Sequence, residues 1–129
     1  MALTFHPGPG AIVICDFSTG FRAPEMVKVR PVVIISPRRR TGQLATVVPL
    51  SSKEPERREP WHYPLRDGTY PPARSRMWVK ADLVATVALD RLDRIMVRVG
   101  GQRTYQMFQL DADELRSVHL AVKAALGLP

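Results

Sequence analysis

A chain of 129 residues is long enough for one domain with a modest hydrophobic core and short for two. With 45% hydrophobic and 24% charged residues it has globular proportions, which exclude a disordered or fibrous chain. The 19 Lys and Arg against 12 Asp and Glu leave a formal charge of +7, a field that favours polyanionic partners, nucleic acid first and acidic proteins second.

The lead MALTFHPGPG lacks the basic flank and apolar stretch of a secretory signal, and no apolar run approaches the ~20 residues of a bilayer span. A soluble, cytoplasmic protein without membrane contact is expected. AIVICDF, Ala11 to Phe17, is rich in β-branched residues and reads as a buried strand. It carries the one cysteine, Cys15, which excludes an internal disulfide and a Cys-based zinc cluster and fits a reducing compartment. Inside an apolar strand, Cys15 reads as a small hydrophobe and not as a nucleophile. STGFRAPEMVK, broken by Gly20 and Pro24, is a loop. VRPVVIIS, Val29 to Ser36, is a second strand; its Pro31 cannot donate to a ladder, so its start belongs at an edge or bulge. After the basic connection PRRRTG, QLATVVPL (Gln43 to Leu50) makes a third.

Residues 51–76 are rich in proline and charge and read as a mobile excursion, with Trp61, Tyr63 and Leu65 as its only core candidates. MWVKADLVATV, Met77 to Val87, resumes the β pattern, ALDRLD forms one helical turn, and RIMVRV, Arg94 to Val99, is a strand before the Gly100-Gly101 turn. Asp111 followed by Glu114 resembles a capping box. Leu115, Val118, Val122, Ala125 and Leu126 then recur at helical spacing until Gly127, which predicts a helix over about 111–127. The chain reads as one mainly β domain over 1–129, with five or so short strands suggesting a small barrel and a helix closing it.

Three strings in this order, PGAIVICDF, PEMVKVRPVVIIS and ATVVPLSS, resemble the MazF/PemK family of type II toxin–antitoxin toxins, and WVKADLVATVALDRL is a fourth, weaker match. The likeness runs from about Pro9 to Leu128 and is weakest in the proline-rich segment. It implies an SH3-like small β-barrel of the CcdB/MazF/PemK toxin type with a C-terminal helix, working as a homodimer. It also implies an endoribonuclease that cuts single-stranded RNA without a metal ion or other cofactor, and an acidic cognate antitoxin whose tail occupies the RNA groove.

Such cleavage needs the ribose 2′-hydroxyl to attack phosphorus, a base and an acid for the protons, and donors for the developing phosphorane charge. Arg30 matches the family's catalytic arginine, and its fork of donors suits a phosphate; the plain alternative is a solvated or salt-bridged strand-end residue. Ser51 stands where the family usually has threonine. It keeps the hydroxyl and loses the methyl that restricts the rotamer, and the alternative is a turn serine capping the next loop. Lys80 and Asp82 align with an Arg-x-Asp acid–base pair. Two apart on a strand they would share a face, as catalytic partners or as a surface ion pair. Glu25 matches the loop glutamate, which orients Arg30 or builds the loop; Pro24 stands where one branch has histidine.

Around this set, Lys28, the triplet Arg38, Arg39 and Arg40, Ser52 and Lys53 fall in loops expected to surround the groove and track phosphates, or are simply solvated. His62, between Trp61 and Tyr63, could meet an unpaired base or belong to a small satellite core, the reading preferred here. His6 and His119 look incidental. No Walker glycine loop, GxSxG elbow, HExxH or GxGxxG string is present. Two rivals stand beside the nuclease reading: a non-catalytic barrel binding nucleic acid or an acidic protein, and a gyrase-directed toxin resembling CcdB.

Overall fold

A computed structural model describes residues 2–38 and 42–129. The strands are β1 (Ala11–Asp16), β2 (Val29–Ile34), β3 (Leu44–Ser51), β4 (His62–Pro64), β5 (Trp78–Lys80), β6 (Ala85–Ala88), β7 (Leu92–Asp93), β8 (Ile95–Val99), β9 (Gln102–Gln106) and β10 (Phe108–Gln109). Short 3₁₀ turns lie at Ala81–Leu83 and Leu89–Arg91, and one helix, α1 (Ala112–Leu126), closes the chain. The sheet order is β10-β1-β2-β3-β5-β4, with β6 also paired to β3 and β7 to β1, every pair antiparallel. The ladder stays open between β10 and β4, so the sheet is barrel-like without closing. β8 and β9 form a separate hairpin whose Gly100 and Gly101 both take positive φ, as a two-residue turn matched to strand twist requires.

Strand alternation divides the core in two. Val13, Cys15 and Phe17 of the first strand region face one side with Val32, Ile34, Ala45 and Val47. Ile12, Val33, Val48, Leu50 and Val79 face the other, where α1 packs through Val118 and Ala121. Each fully buried aliphatic side chain contributes roughly 1.5–3 kcal/mol.

The helix starts and stops where its caps dictate. The Asp111 side chain accepts from the Glu114 N–H at 2.8 Å, and Gly127 adopts the left-handed conformation. The reciprocal half of the expected capping box is missing. Glu114, 1% exposed, turns inward instead, accepting from the Tyr63 hydroxyl at 2.9 Å, the Arg66 N–H at 3.0 Å and the Thr69 hydroxyl. That carboxylate pins the middle of the proline-rich segment to the helix, and Leu65 there is buried. Leu126, expected on the apolar stripe, is exposed because it falls in the last turn, beyond the sheet the helix covers.

Candidate active site

The placement of Arg30 and Ser51 follows from two prolines. β2 pairs with β3 through Val32 and Pro49, Val33 and Val48, and Ile34 and Val47. Continued two residues further, this register sets Arg30 across from Ser51. The ladder stops short of them: Pro31 and Pro49 both lack an N–H, so the strand ends meet without backbone bonds. This is the locally edge-like start of β2 that Pro31 predicts, although β2 as a whole lies inside the sheet.

Arg30 pairs with buried Cys15 on its other side and shares the face of Val32 and Ile34, so its stem continues a core surface. The residue is half-buried. Its Nε is fully buried without a hydrogen-bond partner, the one such side-chain atom among the described residues. A desolvated cationic donor left unpaired is costly.

Ser51 is half-buried and pairs with Trp78. Its Oγ accepts from the Lys53 N–H at 3.1 Å, which realises the turn-serine role while leaving the hydroxyl proton free to donate. Trp78, which the sequence pattern does not single out, lies under the Arg58 guanidinium at 5.7 Å. A pocket of about 310 Å³ lined by Ser52, Glu54, Ser75, Arg76 and Trp78 opens beside it.

Lys80 follows Trp78 by two residues, so it shares the face of Ser51, and His62 lies opposite it in register. Burial pushes the Lys80 ammonium below the ordinary lysine range; Asp82 opposes that shift and Lys53 adds to it. Asp82 is not on the strand. β5 ends at Lys80, and Asp82 sits exposed in the following 3₁₀ turn, so the shared-face expectation fails for this pair while their electrostatic coupling remains. Asp82 instead lines a pocket of about 270 Å³ with Glu25, Phe17 and Phe21. Glu25 builds its own loop: its carboxylate accepts from the Arg22 N–H at 3.2 Å, and the Ala23–Pro24 peptide there is cis. The same loop is held by Arg91, which donates to the carbonyls of Asp16 and Thr19.

The remaining candidates divide by strand end. Ser52 and Lys53 are exposed beside Ser51, and Lys28 is exposed two residues before Arg30. Arg38 lies beyond the opposite end of β2, on the order of 13 Å or more away at ~3.3 Å per residue, with its guanidinium against Gly8. Arg39 and Arg40 lie outside the described residues. His62 Nδ1 accepts from the Glu59 N–H at 2.9 Å, which leaves Nε2 to carry the ring proton, and the ring meets Trp61 edge-on. His6 bridges the Pro7 carbonyl and buried Ser36, a structural tie. Burial raises the Cys15 thiol to about 12, against the nearby Arg91 charge, so it stays an inert thiol. No three His, Cys, Asp or Glu side chains stand together as a metal cluster among the described residues.

The model of the family described as PemK-like, MazF-like toxin of type II toxin–antitoxin system matches residues 8–126. No curated protein matches the chain in sequence. Among solved structures, MazF from Deinococcus radiodurans superposes with a TM-score of 0.72 at 21% identity, covering 96% of this chain and 99% of that one. A mycobacterial endoribonuclease in complex with its cognate antitoxin gives 0.65 at 22% identity over 96% and 98%. A second mycobacterial endoribonuclease gives 0.66 at 20% over 98% of both chains. At these identities the likeness concerns the fold.

Proposed function

Because the chain belongs to the PemK-like, MazF-like toxin family of type II toxin–antitoxin systems, we propose that it is an endoribonuclease cutting single-stranded RNA at Arg30 and Ser51. The observation that carries this reading is the buried, unpartnered Nε of Arg30 opposite a hydroxyl in register. In the proposed reaction the bond from the ribose 2′-oxygen to phosphorus forms and the bond from phosphorus to the 5′-oxygen breaks. Arg30 donates to the phosphorane oxygens as their charge grows, and the Ser51 hydroxyl donates to a non-bridging oxygen. Lys80, with its lowered proton affinity, hands a proton to the leaving oxygen, and Asp82 accepts the one released by the 2′-hydroxyl. The side chains supply the positive charge at phosphorus, so the reaction is proposed to run without a metal ion.

The partners follow from the same reading. A net charge of +7 suits an RNA strand and an acidic cognate antitoxin competing for one surface, and a homodimer is proposed as the working form, in the cytoplasm. The test is Arg30→Ala: cleavage of single-stranded RNA in EDTA should be lost while the circular dichroism spectrum is unchanged. Equal cutting by wild type and variant refutes the assignment.

One observation favours a second reading, a barrel that binds without cutting: Asp82 stands off the strand face that Lys80 shares with Ser51. RNA bound in EDTA and returned intact would decide for it.

A further inference from the structure

Deepening that reading, and resting on it for the class of ligand, we propose that the proline-rich segment builds a nucleotide subsite that holds the RNA strand beyond the scissile phosphate. A pocket of about 250 Å³ lies between Leu65 and Met77, with Asp67, Tyr70, Arg74 and Arg76 in its wall. It shares Ser75 and Arg76 with the pocket that reaches Ser52 and Trp78 beside Ser51. The two recesses therefore share a wall at Ser75 and Arg76, and the second lies beside Ser51 through Ser52 and Trp78.

The pocket is pre-formed. Glu114 holds its near wall through the Tyr63 hydroxyl, the Arg66 N–H and the Thr69 hydroxyl, and the Leu65 N–H donates to the Met77 carbonyl at 2.9 Å. Arg66 is occupied, paired with Asp111 at 2.9 Å. Arg74 and Arg76 are exposed and have no acidic partner among the described residues. The Tyr70 ring is held edge-on to Phe108 with centroids 5.7 Å apart.

A recess lined by an anchored aromatic ring and two free guanidinium groups fits one unpaired nucleotide, its base against Tyr70 and its phosphate between Arg74 and Arg76. Asp67, the one acid of the wall, is an acceptor for an exocyclic amino group. An acidic peptide would also satisfy two arginines. The aromatic recess, and the wall it shares at Ser75 and Arg76 with the pocket beside Ser51, favour a nucleic-acid strand.

Binding is read apart from cutting by using a mixed-sequence, fluorescein-labelled 2′-O-methyl RNA, which has no free 2′-hydroxyl to attack. Its affinity is followed by anisotropy over a range of salt concentrations. In the variant Arg74→Ala/Arg76→Ala, the slope of log affinity against log salt should fall by about 0.7 for each phosphate that the protein no longer neutralises. Tyr70→Leu should weaken binding roughly tenfold. The control is Arg116→Ala/Lys123→Ala, which removes the same charge from the helix. If the Arg74/Arg76 variant binds like this control, the subsite is overturned, even where wild type cuts ribose RNA. Capture of a poly-glutamate peptide through Arg74 and Arg76, with RNA affinity unchanged, also overturns it in favour of an acidic protein. If the RNA slope depends on these arginines and wild type leaves ribose RNA intact, the subsite stands and the nuclease reading falls.

Discussion

At Lys80 a strand residue is held partly out of water beside two charges of opposite sign. Desolvation lowers its proton affinity below lysine's ordinary value of 10.5, and the Asp82 carboxylate only partly restores it. If Lys80 is the acid that protonates the leaving oxygen, it must enter the reaction charged. The turnover rate then falls as pH rises through the lowered value, earlier than an ordinary lysine would give. Lys80→Arg should move that alkaline limb upward and out of the range, because a guanidinium keeps its proton there. Lys80→Met should cost about 10²–10⁴-fold below that limb, and the gap to wild type should close as pH rises through it. A pH–rate profile of wild type and both variants checks this, and an alkaline limb unchanged in Lys80→Arg excludes the role. Ser51 shows the same economy at one atom, where the oxygen accepts from the following turn and the proton is left for a ligand.

Among the elements, the contact between α1 and the proline-rich segment depends most on a single group. Glu114 is almost completely buried, and its two oxygens satisfy two hydroxyls and one backbone N–H. Truncation to alanine leaves these donors without their acceptor at about 1–3 kcal/mol each, partly recovered where water enters. Glu114→Ala should therefore lower the stability by about 3 kcal/mol, and Glu114→Gln by less, since it keeps one carbonyl acceptor and the volume. Urea denaturation with an unchanged m-value is the measurement. An alanine variant as stable as wild type would show that the clamp contributes nothing. The Arg66–Asp111 pair beside it is exposed on both sides and adds little.

For the whole molecule, burial of tyrosine sets an alkaline limit on stability. Burial raises the Tyr70 phenol above its ordinary 10.0; at Tyr63 burial raises it first and the hydrogen bond to Glu114 adds to the shift. The folded state thus keeps protons that the unfolded chain has already released. This stabilisation is fully present below about pH 10 and is lost as pH climbs through the raised values. The urea midpoint should fall above that point, and Tyr70→Phe, which has no phenol to ionise, should flatten the fall. Equal slopes in both proteins would contradict the account.

The alternation of apolar residues and the cap residues are local instructions, so the sequence alone set the first three strands, the glycine turn of the hairpin, and the ends of the helix at Asp111 and Gly127. The proline at position 31 likewise announced where the ladder around Arg30 would open. β4, β9 and β10 were not legible, because short strands such as HYP, QRTYQ and FQ carry no apolar run and exist only through their partners. The direction of Glu114 was also hidden: a capping box and an inward clamp share one pattern, and only the arrival of Tyr63, Arg66 and Thr69 from about 50 residues away decides between them. Tertiary structure alone turned Asp82 off the strand, whereas the place of Arg38 beyond the end of β2 away from Arg30 already followed from the strand read over Val29 to Ser36. Tertiary structure alone brought Ser75 and Arg76 to line one pocket with Ser52 and Trp78, since spatial neighbourhood follows from long-range pairing that no local spacing encodes.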